Sequence, residues 1–327
     1  MTNLSELSSF SYQLLILLTV IFSKAFVSHF IYHEPLRFFQ FYCQKLSDKV
    51  NNPTNSPNQQ TIAGLVAIVV TLPPIIITLW LFESFVEVDF LWQVLLLYIA
   101  LDSFGITKVS KDIAQALTAK QNYVAKQTLK PWVLRETEPL SSLGLSKACI
   151  EMQLLRTLQQ GYTVAFIFIT LGPLMALCYR LLLEMHYCWN TKLTIHKYFG
   201  LYSKYLVNLI MWLPVRIFSL LLLFSSIGNN LILFWRLSRK HLFQLNNNVA
   251  LLLLSLNLSI KLGGVAMYDD KKNSPEKLRK ISFNDKARQP QIADIIHATK
   301  KINNMILVSL FLMIFVAVAI EYIASNI

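Results

Sequence analysis

The chain has 327 residues, 54% apolar and 15% charged, with a formal net charge of +12. Soluble domains carry nearer a quarter of their residues as charged side chains, so a soluble enzyme is excluded. The composition predicts an all-α, polytopic helical membrane protein, with 1–327 as a single integral membrane domain.

Apolar runs close to the roughly 20 residues needed to cross a bilayer fall at 11–32, 61–82, 162–185, 206–228 and 305–324, with a shorter one at 89–101. About six transmembrane helices are predicted. Ahead of the first, "MTNLSELSS" holds no Lys or Arg. A cleaved signal needs a basic n-region, so this run reads as a retained span. "NNPTNSPNQQ" (51–60) is a Pro/Asn/Ser loop. The turn "ESFVEVD" (83–89) carries acidic charges alone, whereas 102–160 and 269–304 are rich in Lys and Arg. Basic connections stay cytoplasmic. The N-terminus is therefore expected outside a bacterial inner membrane, 33–60 inside, 83–88 outside and 102–160 inside. The positive surplus fits the anionic inner leaflet of the lipid bilayer and leaves no case for nucleic acid.

Within 102–160, "IAQALTAKQNYVAKQTL" has helical spacing until Pro131 breaks it. Beyond lie Arg135, Glu136 and Glu138, then Lys147, Glu151 and Arg156. They suit either a solvated helix or a pocket wall whose guanidiniums bind carboxylate or phosphate. In the run 162–185, Arg180 and Glu184 stand one helical turn apart, as in a local ion pair. In 206–228, Asn208, Trp212 and Arg216 share a helix face. A charge at mid-membrane costs at least ~2.5 kcal/mol, so Arg216 must point inward. It either satisfies the carbonyl freed by Pro214, or a nearby acid, or it binds an anion.

The run 249–268 is interrupted by Asn257, Ser259 and Lys261, and a crossing there would export the basic segment 269–304. It is predicted as a buried or re-entrant helix ending at Gly263–Gly264. The polar stretch 271–291 reads as a mobile linker. Cys43, Cys149, Cys178 and Cys188 form no CxxC pair, so neither a disulfide framework nor a metal site is predicted. Phosphate-loop, dinucleotide, zincin and serine-hydrolase motifs are missing from the sequence.

Five stretches occur in the same order and at similar spacing in one family: "HEPLRFFQFY", "VLRETEPLSSLGLSKACIE", "LGPLMALCYR", "FGLYSKYLVNLIMWLPVRIFSL" and "LGGVAMYDDKK". Over roughly 29–275 the chain resembles the CobD/CbiB family, the adenosylcobinamide-phosphate synthases of cobalamin biosynthesis. Its Tyr-Arg and Trp-x-Pro-x-Arg segments also resemble the AmpE-type regulatory membrane proteins.

The resemblance implies a reaction and a set of residues. Aminopropanol, or its phosphate, would join a propionate of cobyric acid in an amide, giving cobinamide (phosphate), with ATP and Mg2+ as cofactors. Other membrane-bound late cobalamin enzymes would be partners. His33, Arg135, Thr137, Tyr179, Arg180, Arg216, Gly263, Gly264 and Tyr268 are the implied substrate-binding residues, and Glu136 and Glu151 the catalytic ones. An Ala-Glu-Asn and a following Asp usual in the family are replaced here by Leu154, Leu155, Arg156 and Gln159, an Asn and an Asp by Leu183 and His186, and an Asp pair by Val207 and Asn208, so the acids are lost together. Their loss leaves a non-catalytic, AmpE-like sensor or modulator as the alternative. Arg135, Arg180 and Arg216 are expected to converge on one cytoplasm-facing cavity, near Glu136, Glu151 and Glu184.

Overall fold

A helix satisfies every backbone group within its own segment, which is why apolar runs fold as helices in lipid. The computed structural model describes residues 8–30, 36–226, 231–270, 273–279 and 281–325. His33 lies outside these described residues. The first elements are α1 (Ser9–Phe30), α2 (Arg37–Val50), α3 (Pro57–Glu83), α4 (Asp89–Ala100), α5 (Gly105–Thr118) and α6 (Asn122–Leu129). The loop before α3 ends in a capping box. Gln59 N donates to Ser56 Oγ, and Ser56 N donates to Gln59 Oε1. Pro57 follows where its missing N–H is not needed.

After Pro131 come α7 (Ser142–Arg156), a π-helical turn over Thr157–Tyr162, α8 (Thr163–Leu171) and α9 (Pro173–Cys188). The run 162–185, expected as one crossing, is split. Gly172 takes φ +87° and Pro173 opens the next helix, so α9 folds back along α8. Two tyrosines stitch this hairpin. Tyr179 OH donates to the Gln159 carbonyl at 3.1 Å and Tyr187 OH to Gln159 Oε1 at 2.7 Å. α9 is the central element, packed on α2, α3, α4 and α8.

The segment after α9 lies over α2 and the start of α3. Trp189 Nε1 donates to the Cys43 carbonyl at 3.0 Å, and Asn51 Nδ2 to that of Ile195 at 2.7 Å. Gly64 meets the Phe199 backbone so closely that a Cβ there would collide with its carbonyl oxygen.

The remainder comprises α10 (Leu201–Phe224), α11 (Leu231–Ser238), α12 (Asn248–Asn257), β1 (Val265–Asp270), β2 (Asn273–Arg279) and α13 (Ile292–Ser325). α12 is buried over 249–256, as expected, but ends at Asn257, short of Gly263–Gly264. Those glycines, at φ +78° and +112°, turn the chain into β1, which pairs antiparallel with β2.

The mobile linker expected at 271–291 is not found in its latter part. Leu262 and Phe283 exchange backbone hydrogen bonds, and Lys261 N donates to the Arg288 carbonyl at 2.9 Å. Arg288 then forks onto Asp294 with two contacts of 2.7 Å. Polar sequence here reflects ion pairing on a surface, not loose chain.

By length and composition, 5 stretches among the described residues are able to cross a membrane: Ser9–Val27, Pro57–Glu83, Asp89–Thr118, Leu201–Phe224 and Ile292–Ala324. At one end of the bundle, Ser8 N donates to Glu321 Oε1 at 2.9 Å and Tyr12 OH to Asp89 at 3.4 Å. The starts of α1 and α4 and the finish of α13 therefore share a side.

Candidate functional site

At the opposite end, a cleft opens between α2, the segment 131–135, α7, the end of α9 and Tyr268. Its first lobe measures about 430 Å³ and a second about 450 Å³. Glu151, Gln159, His186, Asn190 and Lys192 line both, so the two form one cavity. The second lobe reaches Lys204, Asn208, Asn246 and Gly263.

Glu151 organises one wall. It is 4% exposed and accepts from Arg135 Nη2 at 2.5 Å with one oxygen, and from Gly263 N at 2.9 Å with the other. Arg135 itself is held by strand-like pairing with Tyr268, and Glu136 N donates to the Met267 carbonyl at 2.9 Å. Burial pushes the Tyr268 phenol above its ordinary pKa, so it enters the cleft as a neutral donor. The ammonium of Lys192 stands 5.6 Å over its ring. Thr137 is buried just behind, with its hydroxyl unpartnered among the described residues. Gly264 makes the turn and does not line either lobe.

The other wall comes from α7, the π-helical turn and α9. Arg156 lies 4.1 Å over the Tyr187 ring and donates to the Trp132 carbonyl at 3.2 Å. Glu184 is 1% exposed; one oxygen pairs with Arg180 and the other accepts from Gln40 Nε2 at 2.9 Å. Asp102, unmarked by any motif, approaches the other side of Arg180 at 3.4 Å. His186 has an Nδ1 without a hydrogen-bond partner among the described residues. Desolvation, helped by Lys192 and Lys204, pushes its pKa down to about 4, so it is neutral near pH 7.

The expected convergence of three guanidiniums fails. Arg135 alone lines the cleft. Arg180 lies behind the wall, neutralised by Glu184 and Asp102, and Tyr179 beside it faces Gln159. Among the described residues Arg216 meets no acid, and it lines neither lobe. Its guanidinium donates to the carbonyls of His241, Leu242, Gln244 and Asn246, and Trp212 stacks beneath it. Arg216 thus fixes a loop whose Asn246–Asn248 line the second lobe.

Sequence reasoning missed Gln40, Gln44, Asn190, Lys192 and Lys204, which come from elements far apart in the chain. No local spacing marks such a set.

A family model described as CobD/Cbib protein matches residues 16–302, most of the chain. The chain belongs to the CobD/CbiB family. Its role thus lies in cobalamin biosynthesis, with a corrinoid as substrate, and it is a membrane protein. It is 26% identical over 218 residues to the cobalamin biosynthesis protein CobD of Leptospira interrogans, covering 65% of this chain and 67% of that one. The CobD of Chromobacterium violaceum is 24% identical over 207 residues, covering 63% and 66%. That of Stutzerimonas stutzeri is 23% identical over 235 residues, covering 72% and 76%. No solved structure matches the chain.

Three positions where this CobD/CbiB member lacks an expected acid, Gln159, His186 and Asn208, all line the cleft. Among the described residues no group of three or more His, Cys, Asp or Glu could hold a metal. Mg2+ takes oxygen ligands, often carboxylates. Glu151 and Glu184 have both oxygens engaged by cations and amides. The cleft residues do not fit a resident Mg2+, and its chemistry is that of Arg135, Arg156, Lys192 and Lys204.

Proposed function

We propose that this cleft binds cobyric acid beside aminopropanol, or its phosphate, and joins them in an amide to give cobinamide (phosphate). The observation that carries the reading is the cation-rich, two-lobed cleft, in which Arg135 and Arg156 are held by fixed partners rather than left to solvent. One lobe suits a corrinoid edge bearing propionates, and the other a smaller phosphorylated amine. Condensation removes one oxygen from the propionate as the amine nitrogen bonds its carbon. ATP, entering as co-substrate, carries that oxygen away on phosphate, and Arg156 and Lys192 hold its phosphates. In this reading Glu151 positions Arg135, because both its oxygens are already occupied. Glu136, half-buried on the neighbouring loop, lines neither lobe, so the amine's proton leaves with the released phosphate or to solvent.

A non-catalytic, AmpE-like role is the second reading, favoured by the neutral residues Gln159, His186 and Asn208 in place of acids. One experiment separates them. A strain lacking the synthase and fed cobyric acid should grow when given this gene. Arg135→Ala and Arg156→Ala should abolish growth while the protein still accumulates in the membrane. Failure of the wild-type chain to complement, at normal abundance, supports the second reading.

A further inference from the structure

The helix α10 is apolar and, with 24 residues, long enough to cross a bilayer, yet its surroundings place both its ends on one side. Its beginning follows Phe199, which packs on Gly64. The preceding residues are tied to Cys43 and Asn51, in the connection between α1 and α3. That connection lies opposite the end marked by Ser8–Glu321 and Tyr12–Asp89. The far end of α10 meets the same side. Lys301 Nζ donates to the Ser225 carbonyl at 3.5 Å, and Lys301 precedes the apolar stretch of α13.

Chain tracing requires the same. α13 finishes beside Ser8, so it must start on the side where α1 finishes. A crossing by α10 would then need a second crossing before Ile292. Among the described residues the helices available are α11 and α12, of 8 and 10 residues. Both fall short of the ~17 residues a crossing demands. The basic residues agree: Lys192, Lys197 and Lys204 precede or open α10, and Arg236, Arg239 and Lys240 follow it.

The two faces of α10 are unlike. Lys204 and Asn208 line the cleft, and Arg216 is buried and clamps the 241–246 loop. Tyr205, Leu209, Leu213, Leu220 and Phe224 are exposed, recurring about one or two helical turns apart. We infer that α10 lies along the cytoplasmic surface of the bilayer, with this apolar stripe docked into the acyl chains of the inner leaflet. The α8–α9 hairpin re-enters and returns. The membrane is crossed by α1, α3, the α4–α5 path and α13, and residues 119–291 lie on the cytoplasmic side apart from the α8–α9 hairpin and the apolar stripe of α10. The cleft then sits at the membrane surface, with α10 as its floor. Arg216, at the interface and not at mid-membrane, escapes the full burial cost.

The test uses the full-length chain in cells. Single substitutions Lys197→Cys and Lys240→Cys should react with a membrane-impermeant maleimide only after permeabilisation, while Glu87→Cys reacts in intact cells. The wild-type chain sets the blank. Labelling of Lys197→Cys in intact cells would overturn the inference. A second measurement reads depth in purified protein reconstituted into phosphatidylethanolamine–phosphatidylglycerol vesicles. Bimane on Tyr205→Cys, Leu213→Cys and Leu220→Cys should be quenched alike, and more by lipids spin-labelled near the headgroup than at the chain end. A gradient running through the bilayer centre means α10 crosses. No quenching at any of the three means protein, such as a second copy of the chain, covers the stripe. Either result overturns the proposal, and neither depends on which reaction the cleft performs.

Discussion

At the scale of single residues, Arg216 shows how a charge in an apolar run can be structural. Four carbonyls of the 241–246 loop satisfy its planar fork. An ammonium offers one point charge, so Arg216→Lys should lower the unfolding free energy in detergent by about 1–3 kcal/mol. Arg216→Ala should do at least as much. His186 gives a pH signature. Its folded pKa of about 4 lies below the ordinary ~6.5, so the unfolded chain takes up a proton first as pH falls. Stability should therefore drop between about pH 6.5 and 4, by about 1–2 kcal/mol for a half-buried ring. His186→Gln should flatten that part of a thermal-midpoint profile; an unchanged profile would mean the imidazole stays hydrated. The sequence made Arg216 conspicuous because a guanidinium stands out among leucines. It could not say what the guanidinium touches, since residues 241–246 lie beyond a turn and a further helix. Lys192 and Asp102 stood out in no pattern at all.

Among the elements, the α8–α9 hairpin departs furthest from the periodicity of the chain. Hydropathy reads 162–185 as continuous because Gly172 and Pro173 are both tolerated in membrane helices. The break depends on Gly172 taking φ +87°, where an L side chain is strained. Nothing crowds a Cβ there, so Gly172→Ala should cost about 1 kcal/mol through backbone strain alone. Gly64→Ala should be far worse, since its Cβ meets the fixed Phe199 carbonyl. Comparing the two variants' yields in the membrane checks the ranking, and equal yields would contradict it. Pro131 and the loop 51–60 were legible because turn chemistry is local. The β1–β2 pair was not, because its strands are short and the second, "NSPEKLR", has no apolar alternation.

For the molecule as a whole, composition was enough to identify an all-α membrane protein, and the order of five short motifs enough to suggest its family. The cleft was legible only in part. Arg135, Glu151, Gly263 and Tyr268 meet there, but Arg180 and Arg216 serve the scaffold behind it. α13 has a consequence in time. Its first turns pack on α5 and α7, where the Thr299 hydroxyl donates to Gln153 at 3.2 Å, two residues from Glu151. In chain order these residues follow every residue that lines the cleft. The support behind α7 is therefore made after the cleft's own lining, and a nascent chain arrested before Ile292 holds every lining residue but lacks the helix that braces Gln153.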